Sequence, residues 1–93
     1  MLASIPTDLS KVKKEEINKE ILRLAIIAEL DAINLYEQMA ALAEDKNIKI
    51  VLLEVAKEEK THVGEFQALL LKLDKQQVEE LEKGKKEVEE LTA

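Results

Sequence analysis

"ILRLAIIAEL", residues 21–30, is apolar in nearly every direction when it is drawn as a helix. No Gly or Pro occurs between about Lys11 and Ala43, so the pattern predicts one long helix there. A helix that is apolar almost all round is buried on more than one side. One partner helix cannot bury it, so this stretch predicts that two copies of the chain associate.

The composition of the whole chain favours helices over strands. Its 93 residues include 16 Glu and 13 Lys but only two Gly and one Pro, which leaves few turns for a sheet. The polar break "EDKN" at 44–47 predicts a turn, with Asp45 or Asn47 as the cap of a second helix over 48–73. Two long helices joined by so short a turn form an antiparallel hairpin.

The C-terminal segment predicts a third, shorter helix. Asp74 and Gln77 have the spacing of a capping box, which places a helix over 75–91, and Gly84 is expected to interrupt it. Residues 1–10 are predicted to form an irregular arm. The chain is therefore expected to be a single all-α domain over 1–93, with a C-terminal helix in 75–93.

Net charge and composition exclude several classes of function. The net charge of −6 and the single Arg oppose nucleic-acid binding, which needs a basic surface. The absence of Cys excludes disulfides and thiolate metal sites. The longest uncharged apolar run, "LAIIA", is too short to span a membrane, and the first residues lack the pattern of a secretory signal. A cytoplasmic protein is expected.

Polar side chains interrupt the apolar stripe of the second helix at one place. Steps of four and three residues select eight positions, six of them apolar. They are Ile48, Leu52, Val55, Glu59, His62, Phe66, Leu69 and Leu73. Within "EEKTH" (58–62), Glu58 falls outside this stripe, so Glu59 is the predicted partner of His62, the chain's only histidine.

The first helix has a corresponding stripe with one carboxylate and one phenol. It passes through Leu22, Ile26, Glu29, Ile33, Tyr36, Ala40 and Ala43. A carboxylate in an apolar seam is costly unless it is paired or binds a metal. Carboxylates and imidazole together suit iron or manganese, so Glu29, Glu59 and His62 are candidate metal ligands. The alternative is that Glu59 pairs with His62, and Glu29 hydrogen-bonds with Tyr36, without a metal.

The number of ligands also predicts two chains. A carboxylate-bridged di-iron site in a four-helix bundle takes a Glu from each of two helices and Glu-x-x-His from each of the other two. One chain supplies Glu29 and a single Glu59-x-x-His62, which is half of such a site. Two chains related by a twofold axis would supply all of it and would also bury the apolar surface of the first helix.

Two segments carry the motifs of this candidate site. They are "AELDAINLYEQMA" (28–40), in which Glu29 lies seven residues before Tyr36, and "VAKEEKTHVGEF" (55–66). Together they resemble the encapsulated ferritins, half-length members of the ferritin-like superfamily. The resemblance covers roughly residues 15–92 and is strongest to the archaeal type that is fused to an encapsulin shell protein.

This resemblance implies a ferroxidase centre at a dimer interface, where Glu29, Glu59 and His62 of each chain bind two irons. Dioxygen would oxidise Fe(II) there, with Glu59 bridging the irons, Glu29 as a terminal ligand and Tyr36 orienting a ligand. It also implies an annular decamer of five dimers inside an encapsulin nanocompartment in the cytoplasm, which stores the oxidised iron.

Two features depart from the pattern of the encapsulated ferritins. Some members carry an acidic residue on each side of the first ligand, forming an outer metal site at which iron arrives. Ala28 and Asp31 occupy those positions here, so only Asp31 is expected to remain as an outer ligand. The C-terminal "EKGKKEVEELTA" shows no shell-targeting peptide, so we expect a domain cut from a shell fusion or a cargo protein without its tail.

Two other functions fit the same residues. A rubrerythrin-like peroxidase, or a manganese or zinc site, would keep the fold and change the chemistry. A non-enzymatic helical module would use the polar seam residues to fix register and oligomeric state. Such a module would assemble identically with metal or chelator and would not oxidise Fe(II).

Overall fold

The computed structural model describes residues 8–93, which form three α-helices. These are α1 (Ile17–Leu42), α2 (Lys46–Leu73) and α3 (Lys75–Leu91). The described residues contain no strand, and α1 packs against α2 as an antiparallel hairpin. The predicted all-α class, with a hairpin and a short C-terminal helix, is confirmed. Most of the predicted arm, residues 1–7, lies outside the described part of the chain.

The predicted start of the first helix at Lys11 is wrong by six residues. Two short 3-10 turns, Leu9–Lys11 and Lys14–Glu16, precede α1, and between them Val12 is extended at φ −86° and ψ 139°. The charged residues 13–15 are exposed, so they have no apolar side chain to pack on α2. Helices in proteins depend on such packing more than on propensity, so α1 begins only at Ile17.

The turn between α1 and α2 ends in a well-formed helix cap. The Asp45 carboxylate accepts hydrogen bonds from the backbone N–H groups of Asn47 and Ile48, each at 2.9 Å. Of the two predicted caps, Asp45 is confirmed, and Asn47 lies inside the helix, which begins at Lys46. This cap fixes where the chain reverses and therefore how α2 aligns with α1.

Replacement of Asp45 by Ala is expected to lower the free energy of unfolding by about 1 kcal/mol, because two N–H groups lose their acceptor. For a domain of this size that lowers the thermal midpoint by roughly 4–8 °C, measured by circular dichroism at fixed protein concentration. Asp45→Asn, which keeps an acceptor oxygen, serves as the control and should lose much less. Equal losses in the two variants would contradict a capping role.

The third helix begins at Lys75, as the Asp74–Gln77 spacing predicts, and the Asp74 carboxylate accepts from the Gln77 N–H at 3.0 Å. The expected interruption at Gly84 is wrong, because α3 continues through it to Leu91. A glycine weakens a helix by about 1 kcal/mol relative to Ala but does not prevent it.

The contact line between α1 and α2 runs through small and branched residues. Ile33 and Ala40 of α1 are buried, as are Ala56 and Leu70 of α2. The α1 residues lie on the stripe predicted for that helix, whereas Ala56 and Leu70 lie beside the stripe predicted for α2. Three members of the α2 stripe are about half exposed in the single chain: Ile48, Leu69 and Leu73. The predicted stripe of α2 therefore borders the hairpin contact instead of forming it.

Apolar side chains remain exposed on both sides of the hairpin and along α3. They include Ile21, Ile27, Leu30, Leu42, Val51, Leu53, Val78, Leu81, Val88 and Leu91. Helices with this much uncovered apolar surface are typical of chains that associate. Across residues 8–93, no helix combines the length and apolar content needed to cross a bilayer.

Candidate metal centre

The three candidate ligands lie at the middle of the hairpin. Glu29 is the thirteenth of 26 residues in α1, and Glu59 is the fourteenth of 28 residues in α2. His62 follows Glu59 by three residues, so the two side chains share one face of α2. Because α1 and α2 are antiparallel and aligned at the Asp45 turn, Glu29 meets this face from the other helix.

The imidazole of His62 lies between the two carboxylates. Its Nδ1 is 3.4 Å from Glu29 Oε2 and 3.4 Å from Glu59 Oε2. One potential ligand atom from each residue lies within 4.8 Å of the other two, and no other group of three such residues occurs among residues 8–93. The structure thus brings together the three residues selected from the sequence.

The two contacts of His62 Nδ1 are better suited to a cation than to a proton. A neutral imidazole carries at most one hydrogen on Nδ1, and two acceptors at equal distance cannot both receive it with good geometry. Contacts of 3.4 Å are also long for hydrogen bonds to a carboxylate. A divalent ion can bind two carboxylates and one imidazole at once, and this donor set suits iron.

The three side chains are only partly shielded from solvent. Glu29 and Glu59 retain 20% and 18% of their side-chain exposure, and His62 retains 43%. Part of the His62 ring is therefore open to solvent. A single chain offers three donor atoms at this place, which leaves space for ligands from elsewhere.

The other predicted site residues lie outside this group. Within the described residues, no hydrogen bond joins Tyr36 to the three ligands, although its side chain is half-buried on the same stripe of α1. Asp31 is half-buried and is not a member of the group. Glu58 is exposed and also lies outside the group.

An ion pair next to the candidate centre was not anticipated from the sequence. Lys60 Nζ lies 2.9 Å from Glu37 Oε2, and these residues directly follow Glu59 and Tyr36 in the chain. The pair connects α2 to α1 across the surface of the hairpin. Charged residues on different helices carry no periodic pattern that would predict such a pair before the alignment of the helices is known.

A crystal structure of the encapsulated ferritin domain from Pyrococcus furiosus has the same fold as this chain, with a TM-score of 0.85 and 59% sequence identity. The match covers 99% of this chain and 96% of that one. The chain belongs to the encapsulated ferritins. The resemblance predicted from the Glu…Tyr and Glu-x-x-His motifs is therefore confirmed.

Other relatives of this encapsulated ferritin agree with that assignment. The sequence model of the rubrerythrin family matches residues 20–92. The ferritin-like-encapsulin shell fusion protein of Pyrococcus furiosus is 63% identical over 95 residues, which cover 99% of this chain and 27% of that protein. The encapsulin nanocompartment cargo protein EncC of Myxococcus xanthus is 39% identical over 67 residues, covering 72% of this chain and 51% of that protein. The chain thus spans about a quarter and about half of these two relatives.

Proposed function

We propose that two copies of this chain form a di-iron ferroxidase centre that oxidises Fe(II) to Fe(III) with dioxygen. The observation that supports this proposal is the convergence of Glu29, Glu59 and His62 at the middle of α1 and α2. Three donors match half of the set of four Glu and two His that a carboxylate-bridged di-iron bundle uses. His62 is partly exposed in the single chain, so it remains accessible to a second copy, which would supply the other half.

Each ligand has its own role in this centre. Glu59 would bridge the two metal positions, Glu29 would bind as a terminal ligand, and His62 of each chain would supply one nitrogen. The four carboxylates of two chains neutralise the charge of two Fe(II) ions and favour the higher charge of Fe(III), which promotes oxidation. Each Fe(II) would give up one electron, so the two metal positions would together reduce one dioxygen molecule to hydrogen peroxide, with two protons taken from solvent.

Tyr36 and Asp31 have supporting roles in this proposal. The Tyr36 hydroxyl orients a ligand carboxylate once two chains have met, as outer hydrogen-bond donors commonly do at metal sites. Asp31, two residues after Glu29, is proposed as an outer ligand along the route by which Fe(II) arrives. Ala28 occupies the position at which some relatives have a second outer acid, so this outer site offers fewer carboxylates.

The surface around the ligands supports association of two copies. Leu69 and Leu73 continue the stripe of His62 along α2 and line an apolar groove with Ile21 and Leu22 of α1. Covering this groove removes apolar surface from water at about 25 cal/mol per Å². The same contact shields the three ligands from solvent, which strengthens their electrostatic hold on the metal.

The two relatives suggest an encapsulin shell as the partner of this chain. The Pyrococcus relative is a fusion with an encapsulin shell, and the Myxococcus relative is an encapsulin cargo protein. We propose that this chain acts inside an encapsulin nanocompartment in the cytoplasm, as an assembly of five dimers, and that the compartment stores the iron it oxidises.

An anaerobic titration tests the centre directly. Fe(II) is added to the metal-free protein while mass is followed by light scattering and bound iron by absorbance after ultrafiltration. We expect saturation at one iron per chain, with assemblies of an even number of chains, and rapid oxidation when air is admitted. A protein that remains monomeric with and without Fe(II), or that binds no iron saturably, would contradict the proposal.

The match to the rubrerythrin family favours one alternative oxidant. A peroxidase would use the same three ligands but would oxidise Fe(II) faster with hydrogen peroxide than with dioxygen. Stopped-flow measurement of both rates at equal oxidant concentration separates the two functions. We expect dioxygen to sustain oxidation, and a reaction that needs peroxide would replace the ferroxidase proposal with the peroxidase one.

A further inference from the structure

A single non-helical residue, Asp74, separates α2 from α3. Its backbone has φ −129° and ψ 88°, whereas Leu73 ends α2 and Lys75 begins α3. The surrounding sequence "LLKLDKQQV" (70–78) contains neither Gly nor Pro. Nothing in the covalent chain therefore prevents α2 and α3 from forming one continuous helix.

The Asp74 side chain holds the break between the two helices. Its Oδ1 accepts from the Gln77 N–H at 3.0 Å, and its Oδ2 accepts from Arg23 Nη2 of α1 at 3.0 Å. In a continuous helix the Gln77 N–H would instead donate to the carbonyl of Leu73, four residues earlier. The cap and the continuous helix exclude each other, and Arg23, the chain's only arginine, favours the cap.

Packing contributes little to the position of α3. This helix has no buried residue, and Val88 and Leu91 in its second half are largely exposed. Its first turns approach the hairpin through Gln77 and Leu81, which line a cavity opposite Ile27. The described residues extend 47 × 43 × 21 Å. A hairpin alone is about 42 Å long and far narrower, so the second long dimension arises because α3 leaves at an angle.

We propose that residues 73–75 are a two-state hinge, bent while Asp74 is bonded to Arg23 and Gln77 and straight when these bonds are lost. The straight state joins α2 and α3 into one helix over residues 46–91, which would be about 69 Å long. Straightening removes Leu81 from Ile27 and redirects the exposed apolar stripe of α3. The hinge therefore decides which surface α3 can cover. It does not depend on the proposed metal centre.

The charges around Asp74 favour the bent state at neutral pH. The hydrogen bond from the Gln77 N–H lowers the pKa of Asp74 most, burial opposes it, and Arg23 and Lys19 of α1 lower it further. Lys72 on α2 and Lys75 on α3, its charged neighbours along the chain, bring no negative charge. Because the pKa is depressed in the bent state, that state is stabilised while Asp74 is ionised. The stabilisation is lost as the pH falls through the lowered pKa.

Spin labels attached to introduced cysteines can measure the angle between α2 and α3, because the chain has no native cysteine that would also be labelled. Labels at Lys57→Cys and Glu87→Cys, both exposed sites, would be separated by about 45 Å along one continuous helix and by less in the bent state. Pulsed electron paramagnetic resonance gives the distance distribution between the two labels. Labelled chains are diluted with unlabelled protein so that distances between chains do not contribute. We expect one short distance in the parent, a major population near 45 Å in Asp74→Ala, and both populations in Arg23→Gln.

Three further variants make the result specific. Asp74→Ala with Lys75→Pro should return to the short distance, because Pro suits the first helical position and disfavours helix at the residue before it. Lys60→Gln removes the Lys60–Glu37 ion pair between α1 and α2, which lies away from the hinge, and should leave the distance unchanged. In the parent, lowering the pH from 7 to about 3, below the ordinary Asp pKa, should shift the distance distribution toward the straight state. Asp74→Asn cannot ionise and should show no such shift.

Two outcomes would overturn the hinge. One is an Asp74→Ala protein, shown to be helical by circular dichroism, that keeps the parental distance. If that variant does not fold, Arg23→Gln decides, because Arg23 is half exposed and its loss leaves no cavity. The other outcome is an Arg23→Gln distribution identical to that of the parent. Fe(II) binding by the same variants is measured separately, so failure of the hinge and failure of the metal centre are distinguishable results.

Discussion

Glu59→Gln eliminates saturable Fe(II) binding and reduces the oxidation of Fe(II) to the rate of the protein-free solution. The substitution keeps the shape of the side chain but removes a charge from the proposed bridging ligand. It acts twice in each centre, because each chain supplies one Glu59. Loss of outer hydrogen-bonding partners alone costs about 10–100-fold in metal affinity, so loss of a ligand on both chains should exceed 100-fold. Initial rates in air-saturated buffer, with matched buffer blanks, measure the effect.

Glu58→Gln is the matched control for this prediction. It changes the same residue type one position earlier on α2, where the side chain is exposed and outside the ligand group. It should retain the parental binding and rate. His62→Ala should match Glu59→Gln, and the double variant should be no worse than either single one, because one lost ligand already disables the unit. Oxidation by Glu59→Gln at the rate of Glu58→Gln would refute the assignment.

The stability of the metal-free Glu59→Gln protein supplies a second readout. Glu29 and Glu59 each place a carboxylate oxygen 3.4 Å from the same nitrogen, which brings two like charges close together when no metal is bound. Removing one charge should leave the thermal midpoint of the metal-free protein unchanged or raise it, as is common where residues are kept for function at a cost in stability. A marked drop would indicate that Glu59 is needed for folding.

Leu69→Glu converts the protein into folded monomers that do not oxidise Fe(II). Leu69 lies on the stripe of Glu59 and His62, two turns beyond the histidine, and is 52% exposed in the single chain. A charge there should leave the hairpin folded, because the half-exposed side chain can turn toward solvent and the buried contact runs through Ala56 and Leu70. It prevents the proposed contact between copies, since burying an unpaired carboxylate costs several kcal/mol. Light scattering, circular dichroism and initial oxidation rates together test this expectation.

Leu53→Glu controls for the introduction of a charge on α2. Leu53 is 49% exposed, close to the value for Leu69, but it lies 16 residues earlier and therefore about 160° away around the helix. The ligands of a Leu53→Glu dimer remain together, so it should oxidise Fe(II) at the parental rate. A Leu69→Glu protein that is monomeric yet fully active would show that one chain carries a complete site.

The parts of the fold that depend on neighbouring residues were predictable from the sequence. Asp45 and Asp74 cap α2 and α3 because a carboxylate can reach N–H groups two or three residues ahead whatever the rest of the protein does. The Glu59–His62 pair is local in the same sense. Glu29 could be added because it was the one carboxylate on the apolar stripe of a helix expected to face α2.

The parts that depend on packing between distant segments were harder to predict. Ile48, Leu69 and Leu73 follow the same spacing as a hairpin seam, yet Ala56 and Leu70 make the buried contact. Periodicity identifies apolar directions on a helix but does not say which direction meets the same chain and which meets another. The Arg23–Asp74 contact joins residues 51 positions apart and has no sequence pattern at all. The expected interruption at Gly84 was wrong because one glycine weakens a helix by only about 1 kcal/mol, which does not end it.

Each chain carries one group of three candidate ligands, and this limits how the proposed centre can evolve. In the proposed centre, two identical half-sites would give both metal positions the same ligands, so a change to Glu29, Glu59 or His62 would be inherited by both positions at once. Selection cannot make one position bind iron tightly and the other release it while a single gene encodes both halves. Duplication and fusion of the gene, giving a four-helix chain, would be the first step at which the two positions could diverge.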